Sequence, residues 1–549
     1  MATADMAAGE STLFVRKATG LVKGWSVFDA FIYATLSINL ITLGFGYAFT
    51  GIAVIPDGAL ISGVILAALF IFFEVLVYAS LVSVMPRAGG DYVWQTRILG
   101  GGIGFVLAAA GWWFILWHWV PIYANILAVE VIQPTLTILD FTGTDAFHAD
   151  WWPYSATNGN GIFFTSIVTA LGASLVIALG MRTYARIQRW CFIGGMIGLV
   201  LVVILFLVHD HGDFVNAYNR SAQDLYGVDS ANAYQDTVNA AAGQSFAGSA
   251  SFPIKATFLL LPFIVFYNLW PNWGATLYGE VRGASDFRKN IYAMGGALVF
   301  MTVITVITLA SLAHSVGLDF YGILSGEYWL TVTDEPFYLF PYPGTLAAFF
   351  FHSAIPQLIV IWLLALWFFG WAGTLFLSST RMVFAAAFDR VLPEWAAKVD
   401  ARTHAPIGAL MLMLIPSIPI SAAYAYSTKF YSYTLDATLV IAITFFGTTL
   451  AATFLPWLKP DIYNASPVAR YKVAGIPLIT AAGAIFAGFL AFCLYKWFKD
   501  DVYYVNNSSS LKYMALLYVV AIVVYVGSRV VRKREGIDLA KVNAEIPVE

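Results

Sequence analysis

Within FIVFYNLWPNWGATLYGE, residues 263–280, an apolar run carries Asn268, Trp270, Pro271, Asn272 and Gly274 at its centre. Pro271 has no N–H, and its ring crowds the carbonyl four residues back, that of Tyr267. A helix breaks at such a point. The backbone groups freed around 267–270 then face either a ligand or a neighbouring helix that satisfies them. Asn268 adds a donor and an acceptor, and Phe266 or Trp270 could lid a site or stack on a cationic substrate. On these residues alone, a ligand site and a simple proline kink stand level.

A second polar island is ATLSINLITLGFG, residues 34–46, where Ser37, Ile38 and Asn39 precede glycines found only at Gly44 and Gly46. Ser and Asn inside membrane helices bond neighbouring helices as often as they touch ligands. Ionisable groups within apolar runs are few: Asp29, Glu74, His118 and Glu130. Asp29 reads as a charge at a helix N-terminus. In GWWFILWHWV, His118 reads as a packed or interfacial histidine ahead of a proton relay, and Trp113 and Trp117 as packing residues ahead of a substrate route. The seven histidines show no ligand spacing, and His209-Asp210-His211 lies in a polar stretch without further ligands. Neither a metal nor a cofactor is expected.

The elements that hold these residues follow from composition. Hydrophobic residues make up 60% of the 549 and charged ones only 11%, with mean hydropathy +0.76, far from a soluble domain. The net charge of −3 gives no reason to expect a nucleic-acid partner. The first twenty residues lack the apolar core of a signal peptide. Twelve stretches are long enough to cross a bilayer, so the fold class is an all-α polytopic membrane protein embedded in lipid. Spans 1–5 fall at about 25–208, spans 6–10 at about 254–456 and spans 11–12 at about 475–530, with a leading segment 1–24 and a tail 531–549. Of the 29 Lys and Arg, 23 fall on the side of the N-terminus, leaving Arg220, Lys255, Lys429, Lys496, Lys499 and Lys512 opposite. That bias puts both termini in the cytoplasm of a multi-pass plasma-membrane protein. Loops 139–160, 209–253 and 316–344 then face outward, and Cys191 and Cys493 lie towards opposite faces, too far apart for a disulfide.

Three stretches are more specific: VMPRAGGDYVWQTRILG (84–100), the opening segment continued through GEVRGASDFRKN (279–290), and STRMVFAAAFDRVLPEWAAKVDARTHAP (379–406). Their order, spacing and side resemble the amino acid–polyamine–organocation transporter superfamily. Pro86, Arg87, Ala88, Gly89, Gly90 and Tyr92 match its element after span 2. Gly279 and Glu280 match the exit from span 6, and Arg381, Phe384, Ala385, Asp389, Leu392, Pro393 and Pro406 match the element after span 8. The resemblance implies the leucine-transporter fold, two inverted repeats of five spans plus two, with substrate between broken spans 1 and 6. It tilts the opening segment towards binding. Ser37, Ile38, Asn39, Phe266, Tyr267, Asn268 and Trp270 become substrate-site candidates, and Pro271 and Gly274 form the break. Two departures from the family stand out: span 1 lacks a glycine-rich break, which puts α-carboxylate recognition in question, and Gly195 replaces a span 5 lysine of some proton-dependent members.

The implied function is secondary active transport of amino acids or related organic amines by alternating access, as antiporter or symporter. A polyamine or nucleobase carrier is the alternative within the class. A membrane-embedded transferase would need convergent acid, base, nucleophile or metal residues, and a channel would need a filter-like repeat. Arg87, Glu280, Arg381 and Asp389 are gating candidates, with ordinary surface pairing as the plain alternative. For coupling, family geometry would draw sodium ligands from span 1 carbonyls and span 8 hydroxyls such as Thr374 and Ser378, and Glu74 is the mid-span carboxylate for a proton. Exchange or proton-linked uptake ranks above sodium symport.

Overall fold

The computed structural model describes residues 20–140, 159–241, 253–330, 339–433, 437–544 and 546. Among the described residues, twelve helices are long and apolar enough to cross a membrane: Val27–Phe45, Leu60–Val84, Gly101–Ile138, Gly159–Ala178, Met181–Val208, Ile254–Glu280, Phe287–Ser315, Ala354–Phe388, Ile407–Tyr426, Ala437–Leu458, Leu478–Lys499 and Ser508–Arg534. They are numbered spans 1–12 here. An even number returns the chain to its starting side. That side is called the terminal side and the other the distal side. Among the described residues the sheet content is one hairpin, Lys472–Val473 against Ile476–Pro477, on the terminal side.

Spans 1 and 6 are interrupted, and local chemistry explains both. Ser26 caps span 1 by accepting from the Asp29 N–H, while its own N–H donates to the Asp29 carboxylate at 2.9 Å. Asp29 also holds Arg189 of span 5. The first half of span 1 stops at Ile38. Asn39 then takes the left-handed conformation, φ 35°, and a wider π-helical turn, Leu40–Phe45, continues. In span 6, Ile254–Asn268 is α-helical and Trp273–Glu280 is a tighter 3-10 helix. Pro271 sits in the gap between them, where its missing N–H leaves the Tyr267 carbonyl without its helical donor.

Span 3 carries two more irregular turns, π-helical at Ala110–Phe114 and Ala128–Ile132, with Pro121 between them. Such bulges occur often at functional sites. After span 2, which ends at Val84 shortly before Pro86, Gly89 and Gly90 adopt φ 101° and 42°. A Cβ at Gly90 would come within 2.9 Å of the Thr276 backbone, and the Gly89 N–H donates to the Thr276 carbonyl. The two glycines therefore let this loop lie directly on the terminal half of span 6. The following helix, Asp91–Ile98, is buried throughout.

The distal stretch 209–253 folds, as far as it is described, into two helices, His211–Tyr226 and Ala233–Ala240. His211 bonds the Ser315 carbonyl through Nδ1, and His209, which ends span 5, lies 3.3 Å from the Asp213 carboxylate in the first turn of the next helix. The distal stretch 141–158, with His148, lies outside the described residues. Cys191 and Cys493 are both free and buried.

Candidate substrate-binding site

The two breaks meet a cavity. A vestibule of about 940 Å³, counting its open mouth, is walled by span 1 (Thr42, Leu43, Gly46), span 3 (Trp119, Ile122, Tyr123, Ile126) and span 6 (Phe266, Trp270). Trp371 of span 8 and Trp329 and Phe340 of the distal loops complete it. Beneath it a smaller cavity of about 170 Å³ is lined by Ser37, Leu43, Trp119, Tyr123, Trp270, Trp273, Trp371 and Thr374. Aromatic rings form its walls: Tyr123 stacks on Trp371 at 3.6 Å, and Trp119 and Trp270 meet edge-on at 5.7 Å. Among the described residues, neither cavity has an acidic or basic side chain in its lining.

Polar atoms at the breaks are buried without partners. Asn268 has neither amide atom hydrogen-bonded, Asn39 leaves its Nδ2 unused, and the Trp119 indole N–H has no acceptor. Buried polar groups are normally satisfied, so these leave hydrogen-bonding capacity unmet. The Asn39 Oδ1 is engaged, accepting from the Thr42 N–H at 3.1 Å. That leaves the N–H groups of Leu40 and Ile41 at the head of the second half of span 1.

Of the residues singled out in the sequence, Ser37, Phe266 and Trp270 line the cavities, while Ile38, Asn39 and Asn268 stand buried at the breaks. Tyr267 points elsewhere: its hydroxyl bonds Thr305 of span 7 at 2.6 Å. Gly274 packs on Tyr33, which a Cβ would approach to 3.1 Å. Trp113 and Trp117 both donate to the Leu412 carbonyl of span 9, and His118 bonds the Phe114 carbonyl and the Tyr513 hydroxyl. These three pack helices together. Trp119, Tyr123, Trp273 and Trp371 were missed. Trp119, Ile122, Tyr123 and Ile126 recur at helical spacing on one face of span 3, a pattern the sequence does contain.

Below the small cavity the molecule is closed on the terminal side. Ser378 of span 8 donates to the Trp273 carbonyl at 2.7 Å and meets the Tyr33 hydroxyl at 2.8 Å, tying spans 1, 6 and 8 together. Thr374 lies 3.4 Å from the Tyr123 hydroxyl, whereas Ser379 and Thr380 bond carbonyls of their own helix. One turn further, Arg381 grips Glu280 with two bonds, 2.7 and 3.2 Å, and both side chains are buried. Asp389 pairs with Arg97, at 2.5 and 2.8 Å, and accepts from Tyr92. Burial works against the Arg97 charge, but Asp389 and Tyr92 together hold its pKa above the usual arginine range. Arg87 is half-buried and donates to the Pro86 carbonyl.

Glu74 is fully buried with neither oxygen bonded. One turn on, Tyr78 donates to Asp91 at 2.7 Å, as does Thr448 of span 10 at 2.6 Å. Burial pushes the Asp91 carboxyl up to about 6 against the pull of those two bonds.

The profile of a family described as amino acid permease matches residues 26–527. The branched-chain amino acid permease BcaP of Lactococcus lactis subsp. cremoris (strain MG1363) is 20% identical over 430 residues, covering 77% of this chain and 79% of the relative. With twelve spans, two broken helices and a cavity between them, the chain belongs to the amino acid permease family and is a transporter rather than an enzyme.

Proposed function

We propose that this permease carries neutral, apolar amino acids across the plasma membrane by alternating access, both termini facing the cytoplasm. What supports this most is the pairing of the interrupted helices and their unbonded Asn amide atoms with the aromatic cavity beside them. An amino acid zwitterion needs an anion site, supplied by the N–H groups of Leu40 and Ile41 at a helix N-terminus. It needs a cation site as well, supplied by carbonyls around Ile38 and Tyr267 at helix C-termini. Its side chain then meets Trp119, Tyr123, Trp270 and Trp371, where burial of apolar surface is favourable. A polyamine or a cationic amino acid would bring a second charge into a lining that, among the described residues, holds no carboxylate, at a large desolvation cost.

A branched aliphatic side chain suits this lining, in keeping with the name of the Lactococcus relative. Loaded proteoliposomes test the reading. Radiolabelled leucine should show saturable counterflow, competed by isoleucine, valine and phenylalanine and little affected by lysine or putrescine. Stronger competition by lysine or putrescine would overturn it. Exchange or proton-linked uptake is proposed over sodium symport, because Ser378 spends its hydroxyl bridging Trp273 and Tyr33.

A further inference from the structure

Span 3 carries a carboxylic acid that nothing in the binding geometry uses. Glu130 lies in the second π-helical turn, Ala128–Ile132, in the distal half of the span, and is 1% exposed. Thr42 donates to its Oε2 at 3.0 Å, and its Oε1 has no partner. The neighbouring Val129 and the same Thr42 line the vestibule, so the carboxyl stands directly behind its wall. Thr42 is the third residue after the break in span 1, and its N–H is the one capped by Asn39.

Among the described residues, no cation faces the carboxyl from the elements packed around it. Gln133–Ile138 and Ala354–Ala372 contain no titratable side chain. Ile115–Leu127 contributes His118, occupied by Tyr513 and the Phe114 carbonyl, and Tyr123, stacked on Trp371. Leu40–Phe45 contributes none. The Tyr342 hydroxyl, itself buried without a hydrogen-bond partner, is the titratable group Glu130 acts on. An ionised carboxylate sealed here with one neutral donor is strongly disfavoured. The seam between spans 1 and 3 therefore closes over a protonated Glu130, and it can ionise where water from the vestibule reaches it.

We propose that Glu130 is the proton-binding site of the transport cycle, loaded from the distal vestibule, and that its bond to Thr42 links protonation to the broken helix of span 1. This rests on the alternating-access reading above. Binding a proton at Glu130 favours the arrangement in which the distal half of span 1 lies against span 3. Release then requires that seam to open. The proton and the amino acid share span 1 without sharing a ligand: Glu130 bonds the Thr42 side chain, the residue that follows the N–H groups assigned to the carboxylate. Coupling of this kind needs only that each ligand prefer the same state of the shared element.

The test uses the full-length protein in proteoliposomes with radiolabelled leucine as probe. Wild type is expected to show counterflow and, with an acidic distal side, accumulation of leucine several-fold above equilibrium. Glu130→Gln should keep counterflow within a few-fold while losing accumulation driven by the pH gradient and the pH dependence of uptake. Thr42→Val removes a donor that favours the ionised carboxyl, so the alkaline limb of the pH profile should move upward by about half a pH unit or more. Gradient-driven accumulation by Glu130→Gln overturns the proposal while leaving the transport reading intact. So does wild-type accumulation under a sodium gradient alone. Should Glu130→Gln fail to fold, an unmoved profile in Thr42→Val overturns it. Absence of wild-type counterflow with leucine or any other neutral amino acid overturns the transport reading and this proposal with it.

Discussion

Replacing Glu280 with Gln separates a gate from a structural ion pair. Glu280 ends the terminal half of span 6, and Arg381 lies on the terminal half of span 8, each at most 1% exposed. Removing one partner of a buried, doubly hydrogen-bonded pair costs about 3–5 kcal/mol, because the other charge is left uncompensated. The Gln carbonyl can still accept one bond from Arg381, so the lower end, about 3 kcal/mol, is the better figure. If spans 6 and 8 part on the terminal side during transport, Arg381 is hydrated in the open state. The penalty then falls on the closed state alone and shifts the equilibrium towards open by about 100-fold.

The Arg97–Asp389 pair is the internal control. It joins helix Asp91–Ile98 to the residue that ends the span 8 helix and does not involve span 6. Its loss should appear as lower thermal stability without a change in which side is open. The assay is the rate at which an impermeant maleimide, applied to the terminal side, labels Thr380→Cys, a position buried in the closed form. Glu280→Gln should speed labelling by about 100-fold. Asp389→Asn should leave it nearly unchanged, and Glu280→Gln combined with Arg381→Met should slow it again. Equal labelling in wild type and Glu280→Gln, or equal acceleration by Asp389→Asn, refutes the assignment.

Three further outcomes are expected. Asn268→Leu should weaken leucine binding by about 10- to 100-fold, the equivalent of about 1–3 kcal/mol for a lost desolvated hydrogen bond, in a competition assay; Pro271→Ala should impair counterflow more than thermal stability. Asp91 has a folded pKa of about 6, above its ordinary 3.8, so its stabilising contribution is complete at low pH and is lost as pH rises through 6. Thermal stability of wild type should therefore fall between about pH 4 and 7, by about 3 kcal/mol if the whole shift is expressed, while Asp91→Asn should be flat over that range. In a cysteine-free background, Asp229→Cys should react with impermeant maleimide from outside intact cells and Lys472→Cys only after permeabilisation, both positions being exposed; the reverse pattern would invert the membrane orientation.

What was legible in the sequence followed from short-range chemistry. Length and hydropathy delimit the spans because a bilayer demands about twenty apolar residues, whatever the tertiary contacts. Pro271 announces the break in span 6 because a proline's effect is local. The pairing of charges was less legible: Asp389 takes Arg97, seven residues beyond the loop glycines, because the helix Asp91–Ile98 is buried against span 8. Arg87, inside the motif itself, is half-buried. Likewise the aromatic cage assembles from three different spans, so no single stretch of sequence displays it.

The break in span 1 was the hardest to see, because no glycine stands at the position where the chain turns. Asn39 does that work in two ways. Its backbone takes the left-handed conformation that only Gly, Asn and Asp visit readily, and its side chain caps the Thr42 N–H. The two contributions can be separated by substitution. Asn39→Gly removes the cap and keeps the conformation, so it should cost at most about 1 kcal/mol. Asn39→Ala removes the cap and adds about 1–2 kcal/mol for left-handed backbone, so it should cost about 2–3 kcal/mol and draw Ile38 and Leu40 towards one continuous helix. Thermal unfolding and leucine counterflow measured together read both effects: Gly should keep most stability and lose only the share of transport that the Asn39 amide supplies to the ligand, and Ala should lose transport even where the protein still folds. Alanine behaving like wild type in both assays would mean that the break is held by packing around residues 39–45 and that Asn39 is incidental to it.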